Sequence, residues 1–177
     1  PAAFEEEWEY LQESTNLWKP WTSRAELNSL EDELQDGQVL LQCLGYQKCE
    51  RPFRTLTCRA FPFYPYLDSR GELIGLGYYR DYRDDCWVIS NLEIVTKEFR
   101  LEFLQAYQQV FLRYPETKDD FLDYAESVRK DAKEGQWITL LDFDGGVFLV
   151  NPETEESRQV EYQDLEAYGV FAVGKEL

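Results

Sequence analysis

The N-terminal part of the chain carries apolar residues at helical spacing. The first set, at steps of three or four positions, is Phe4, Trp8 and Leu11. With acidic residues in its first turn, this pattern predicts a short helix over 2–13. Ser23 and Glu26 then form a capping box, which predicts a second helix that ends at Gly37.

The middle of the chain, 38–91, has a different character. It holds all four cysteines and three of the seven prolines, together with strand-like pieces. We expect extended backbone, a turn at 68–71 and a return strand near 72–79. Such a loop-rich stretch needs something besides helix packing to hold it.

Helical spacing returns at Thr96, whose hydroxyl can cap a helix with aromatic residues at regular steps. Pro115 is expected to end this helix and Thr117 to begin another. The tail then changes to strand-like runs on either side of 144–146, where an Asp-Gly-Gly sequence predicts a β-hairpin. A third strand is expected near 157–161.

Together these patterns predict one α+β domain that spans 1–177. Helices flank an irregular cysteine-bearing middle, and the C-terminal part forms a β-hairpin or a small antiparallel sheet. A length of 177 residues fits one domain, and 44% hydrophobic residues, with 12 Tyr, 11 Phe and 5 Trp, can bury a core. This composition excludes a disordered acidic tail.

The net charge of the chain limits the classes of molecule that it can bind. The chain has 18 Lys and Arg against 35 Asp and Glu, a net charge of −17, so its surface should repel phosphate backbones and anionic lipid headgroups. We therefore expect neither a nucleic acid nor a membrane as partner. The sequence has no long apolar run, and its first residues carry neither a basic nor an apolar leader, so the expected location is the cytoplasm.

The chain contains no histidine. Its absence excludes Ser-His-Asp and Cys-His catalysis as well as His-ligated zinc or haem, so any metal must be held by cysteines or carboxylates. Because the sequence also has no recognisable pair of nucleophile and base, we expect a binding protein rather than an enzyme.

Three weaker patterns have simpler structural explanations. Asp142 and Asp144 resemble part of a calcium loop, but a hairpin turn accounts for them. Gly75 and Gly77 lack the third glycine of a dinucleotide fingerprint. Tyrosines and arginines interleave over 78–83 and could stack on a base or a peptide. Since the net charge disfavours nucleic acid, we interpret them as a partly buried aromatic edge.

The strongest chemical signal is the clustering of the four cysteines, Cys43, Cys49, Cys58 and Cys86, within 44 residues. From Cys43 to Ser90 the chain carries seven Lys or Arg against six Asp or Glu, so an acidic protein becomes nearly neutral around its thiols. Nearby guanidinium groups favour the thiolate and offset the −2 charge of a divalent metal held by four thiolates.

Three interpretations of the cysteines remain open at this point. The first is a four-thiolate site for zinc or an iron–sulfur cluster, which would hold a proline-rich segment together. The second is a pair of disulfides, which a cytosolic location disfavours. The third is four buried, reduced cysteines, because free Cys is among the most buried residue types.

The segment 43–91 carries three dipeptides in order: Arg51-Pro52, Cys58-Arg59 and Phe61-Pro62. In this respect it resembles the YkgJ-type family of cysteine-cluster proteins, which is described as zinc- or iron-chelating. The resemblance implies that Cys49, Cys58 and Cys86 are cluster ligands, with Cys43 in place of an earlier family cysteine. The N-terminal group of adjacent cysteines that the family usually carries has no counterpart before Cys43.

We therefore expect a non-catalytic protein that binds zinc or an iron–sulfur centre through four cysteines. The expected ligands are Cys43, Cys49, Cys58 and Cys86. Arg51 and Arg59 are expected to offset the negative charge of the thiolates. The alternative is a metal-free acidic interaction module, such as an adaptor, an immunity-type protein or a nucleic-acid mimic, whose anionic face binds a basic protein.

Overall fold

A computed structural model describes residues 1–21, 34, 37–132 and 135–166 of the chain. The α+β class is confirmed, because helices are combined with antiparallel sheets. The chain divides into two compact units, Pro1–Phe61 and Pro62–Leu177. This division does not test whether the two units form one domain, so the single domain stays a prediction.

The first unit is built on a three-stranded antiparallel sheet with strand order β1-β3-β2. Its strands and helices are β1 Ala2–Phe4, α1 Glu5–Ser14, β2 Trp18–Pro20, β3 Gln38–Cys43 and α2 Leu56–Ala60. Two 3₁₀ turns, Tyr46–Lys48 and Arg51–Phe53, lie between β3 and α2. The central strand β3 pairs with both of the others.

The N-terminal helix is confirmed, but it begins at Glu5 rather than at the start of the chain. The backbone of Ala2–Phe4 pairs instead with β3, and this contact with a distant strand overrides the local helical spacing. Gln38–Cys43, expected to be the start of an irregular middle, becomes a strand because it finds partners on both sides. The helix predicted from Ser23 onwards falls on 22–33 and 35–36, outside the described residues.

The core of the first unit lies between α1 and the sheet. Its buried members are Ala3, Leu11, Trp18 and Leu41. Phe53 and Cys58 pack against them from the segment that follows the sheet. Trp18 also fixes that segment, because its indole Nε1 donates a hydrogen bond to the carbonyl of Phe53 at 2.7 Å. The cysteine-bearing segment is thus attached to an apolar core.

The second unit is built on a five-stranded antiparallel sheet with strand order β4-β5-β6-β7-β8. Its strands are β4 Phe63–Leu67, β5 Leu73–Tyr78, β6 Ile138–Leu141, β7 Val147–Val150 and β8 Ser157–Val160. Its helices are α3 Trp87–Ser90, α4 Lys97–Arg113 and α5 Pro115–Lys130. The two hairpins expected from the sequence are joined into one sheet, because Leu76 of β5 pairs with Leu141 of β6.

Most local predictions for the second unit are confirmed. The turn at 68–71 closes the β4–β5 hairpin, and the turn at 144–146 closes the β6–β7 hairpin. Thr96 caps α4, since its hydroxyl accepts the backbone N–H of Phe99 at 3.3 Å. The start of α5 was predicted wrongly at Thr117. The helix begins at Pro115 instead, because proline is well suited to a first helical position that needs no N–H donor.

Two tyrosines belong to the core on one side of the sheet. Tyr64 and Tyr66 are buried there with Ala125 of α5. A Cβ at Gly77 would lie 2.4 Å from the Cζ atom of Tyr64, so only glycine lets this ring lie against β5. The glycines of β5 therefore serve close packing, which supports the interpretation that they are not a nucleotide fingerprint.

A buried arginine connects α4 to the β6–β7 turn. Arg100 is 1% exposed. Its guanidinium donates to the carbonyls of Val95, Asp142 and Gly146 at 2.6–3.0 Å and to the Tyr162 hydroxyl at 2.7 Å. Its charge is thus solvated by backbone carbonyls, and the turn is held in place. None of the described helices combines the length and the apolar character that a membrane crossing requires.

Candidate metal centre

Three of the four cysteines line one pocket in the first unit. This cavity, called here the cysteine pocket, has a volume of about 200 Å³, and its thiols come from Cys43, Cys49 and Cys58. Its walls are mainly apolar and include Leu17, Trp18, Leu44 and Phe53. Soft sulfur donors inside an apolar wall are typical of sites for zinc, iron–sulfur clusters and other thiophilic metals.

A different local element positions each of these thiols. Cys43 is the last residue of β3 and pairs with Trp18. Cys49 follows a 3₁₀ turn, and its backbone N–H donates to the carbonyl of Tyr46 at 3.3 Å. Cys58 lies in the first turn of α2, where its N–H donates to the capping hydroxyl of Thr55 at 3.2 Å. The pocket therefore depends on the fold of the whole segment 43–58.

Arg54 is the positively charged residue that lines the pocket and contacts one of its sulfurs. Its Nε–H donates to the sulfur of Cys49 at 3.1 Å. This hydrogen bond raises the pKa of the Arg54 guanidinium. The contact places a positive charge beside one sulfur, where it would offset the negative charge of a metal held by thiolates.

The pKa of the Cys58 thiol depends on the other two thiols of the pocket. Burial is the main cause that raises the pKa of its thiol, and the positive charge of Arg54 acts in the opposite direction. Negative charge on Cys49 and Cys43 raises the pKa of Cys58 further. Several thiolates here would repel one another, and a bound cation would relieve that repulsion.

The two arginines expected beside the thiolates have different surroundings. Arg59 donates from Nε to the carbonyl of Arg54 at 3.0 Å and from Nη2 to the carbonyl of Pro52 at 2.6 Å. It therefore holds the loop that carries Arg54. Arg51 is exposed in the 3₁₀ turn Arg51–Phe53. Their role as charge partners of the thiolates stays a prediction. Arg54, the cation that contacts a cysteine sulfur, was not among the predicted charge partners. Its only signal in the sequence was its place among several nearby arginines.

Cys86 belongs to the second unit, where it is half-buried and immediately precedes α3. Its carbonyl accepts the backbone N–H of Ser90 at 3.1 Å and the Ser90 hydroxyl at 3.2 Å. These bonds attach its backbone to the first turn of that helix. Its role as a fourth ligand stays a prediction.

All four cysteines are free thiols. Cys43 and Cys49 are exposed, whereas Cys58 and Cys86 are half-buried. The interpretation as four buried structural cysteines is therefore wrong. Within the described ranges, no three Cys, Asp or Glu side chains are grouped closely enough to hold a metal ion as they stand. The donor set fits zinc or an iron–sulfur centre in its chemistry, and binding would have to draw the sulfurs together.

Comparison of the chain with family models, with curated proteins and with solved structures finds no match. The resemblance of 43–91 to the YkgJ-type family therefore stays an expectation from the sequence.

Proposed function

We propose that the chain is a non-catalytic, cytoplasmic metal-binding protein that holds zinc or an iron–sulfur centre through four cysteine thiolates. The ligands of this proposal are Cys43, Cys49, Cys58 and Cys86. The observation that carries it is the shared pocket of Cys43, Cys49 and Cys58, in which Arg54 contacts a sulfur at 3.1 Å.

The charge around the pocket supports this proposal. Four thiolates around a divalent metal leave a charge of −2, which needs nearby cations in a chain whose net charge is already −17. Arg54 supplies one positive charge in direct contact with Cys49, and Arg59 fixes the backbone that carries Arg54. Arg51 and Arg59 add further positive charge to the same segment.

Metal binding at this site requires a local movement. Cys49 lies between two short 3₁₀ turns, and neither turn has a buried residue. Cys43 belongs to a paired strand and Cys58 to a helix, so regular backbone hydrogen bonds hold both residues. We propose that the loop carrying Cys49 moves toward the other two thiols when the metal binds.

The test is a titration of the reduced, metal-free chain with Co²⁺, a spectroscopic substitute for Zn²⁺. Thiolate-to-cobalt absorption should appear and saturate at about one ion per chain. Cys43→Ser, Cys49→Ser and Cys58→Ser should each weaken it strongly. The matched control is Lys48→Gln, an exposed residue beside Cys49 that should leave the titration unchanged.

Cys86→Ser tests the fourth ligand separately. If Cys86 is a ligand, the variant should bind more weakly and show a less intense thiolate-to-cobalt band. An unchanged spectrum for this variant would contradict the four-cysteine site, and the absence of any thiolate band in the parent chain would contradict metal binding as a whole.

The acidic-module alternative is favoured by one feature of α5. Exposed carboxylates recur along it at helical spacing, at Glu116, Asp119, Asp123 and Glu126. Such a stripe would bind a basic protein in a salt-sensitive manner. Under this alternative, a cationic peptide should bind the chain at low salt, and the Glu116→Gln, Asp119→Asn, Asp123→Asn triple variant should bind it more weakly. Equal binding by the parent and the triple variant would contradict this function of the stripe.

A further inference from the structure

A second cavity lies in the second unit, and no cysteine lines it. This cavity, called here the arginine pocket, has a volume of about 300 Å³, which is at the lower end of the range for small-molecule sites. It is lined by Tyr64, Tyr78, Arg80, Arg83, Trp137 and Leu149. The exposed carboxylates of Asp164 and Glu166 also line it.

Arg80 is the unusual residue of this pocket. It is half-buried, and within the part of the chain that the structure describes its guanidinium donates no hydrogen bond and forms no ion pair. Other arginines of the unit are well supplied with acceptors: Arg70 contacts Asp68 and Glu72, each at 2.9 Å, and Arg129 contacts the Leu67 carbonyl.

An unpartnered guanidinium is unexpected in this chain. Acidic residues outnumber basic ones by 35 to 18, so carboxylate partners are abundant. A half-buried guanidinium with five N–H donors and no acceptor is costly, because its hydration is reduced without compensation. An anionic group placed in the pocket would provide that compensation.

The walls of the pocket indicate the rest of the ligand. Trp137 and Tyr78 contribute large aromatic side chains, and Leu149 contributes an aliphatic one. The guanidinium of Arg158 lies over the Trp137 ring at 4.4 Å and supports it. Flat apolar groups pack well against aromatic side chains. The cavity therefore combines one free cation with apolar, largely aromatic walls.

The acidic residues restrict the charge of the ligand. Asp164 and Glu166 would repel a second or third negative charge, so the pocket disfavours polyphosphates and dicarboxylates. We propose that the arginine pocket binds a small aromatic monocarboxylate, with its carboxylate on Arg80 and its ring against Trp137 and Tyr78. Arg83, which also lines the pocket, adds a second positive charge.

The test measures binding of 2-naphthoate to the full chain by calorimetry, with 2-naphthamide as the neutral analogue of the same shape. The naphthoate should bind at least about tenfold more tightly than the amide, because a guanidinium–carboxylate contact is charge-assisted. Arg80→Gln should remove most of this difference. Arg113→Gln, an exposed arginine at the end of α4, is the matched control and should bind like the parent.

Three outcomes would overturn the proposal: no binding of naphthoate, equal binding of naphthoate and amide, or unchanged binding by Arg80→Gln. Tighter binding of ATP than of naphthoate would overturn the ligand class. Thermal melting shows whether Arg80→Gln is folded. If it is not, Arg83→Gln is measured instead, and it should also weaken naphthoate binding relative to the amide.

Discussion

Arg54 donates its Nε–H to the sulfur of Cys49 at 3.1 Å. The two residues are five positions apart, and Arg59 holds their loop through the carbonyls of Pro52 and Arg54. A guanidinium beside a sulfur offsets part of the negative charge of a metal held by thiolates. Substitution of Arg54 therefore tests directly whether this cation influences the Cys49 thiol.

The first prediction concerns the reactivity of Cys49. Arg54→Gln removes the cation from the sulfur and should slow alkylation of Cys49 by the anionic reagent iodoacetate, because the guanidinium beside Cys49 attracts the negative charge of this reagent. Mass spectrometry of the labelled peptides gives the rate for each cysteine. Arg113→Gln is the control, since Arg113 is an exposed arginine of the second unit. An equal Cys49 rate in both variants would show that the contact does not influence this thiol.

The second prediction concerns the pH dependence of metal binding. Burial raises the pKa of the Cys58 thiol, so this thiol keeps its proton to higher pH, and a metal must displace that proton in order to bind. Zinc affinity should therefore rise with pH between about pH 6 and 8, and Cys58→Ser should reduce the slope by about one proton. Competition with a colorimetric chelator measures the affinity. A slope that is the same in both proteins would exclude Cys58 as a protonated ligand.

The third prediction concerns the close approach of Tyr64 to β5. Gly77→Ala would place a Cβ 2.4 Å from the Tyr64 ring, and this ring is 1% exposed and has little room to move. The variant should lose about 1–3 kcal/mol of unfolding free energy, the usual cost of overpacking. Urea unfolding measures the loss. In the control, Gly146→Ala, the nearest atom lies at 3.4 Å, so a comparable loss there would contradict the steric explanation.

The fourth prediction concerns the buried guanidinium of α4. Arg100→Met keeps an apolar stem but leaves the carbonyls of Asp142 and Gly146 without this donor. We expect a loss of about 3 kcal/mol, because buried acceptors lose their hydrogen bonds. Arg113→Met, on the exposed end of the same helix, should change stability by less than about 0.5 kcal/mol. Similar stability of the two variants in thermal unfolding would mean that Arg100 does not support the turn.

Features that depend on neighbouring residues were predictable from the sequence. The cap at Thr96 and the turn at 144–146 follow from local chemistry, and both are present. The pairing of Ala2–Phe4 with β3 and the link from Leu76 to Leu141 were not predictable, because they join segments far apart in the chain. No local pattern specifies such partners.

In the candidate site, too, some features were predictable from the sequence and others depend on the folded structure. Clustering in the sequence predicted that the cysteines share a site, and Cys43, Cys49 and Cys58 do line one pocket. The sequence could not show which guanidinium contacts a sulfur, because Arg51, Arg54 and Arg59 each lie within four positions of a cysteine. Only the folded loop distinguishes them: Arg54 contacts Cys49, whereas Arg59 binds backbone carbonyls.

The most direct test of metal binding is elemental analysis together with a visible spectrum. The protein should be purified without oxygen and without a metal-affinity tag, so that the metal found is the one acquired in the cell. The account predicts about one zinc ion per chain, or iron with inorganic sulfide and the corresponding visible absorption. A folded, metal-free protein with all four thiols titratable would contradict it.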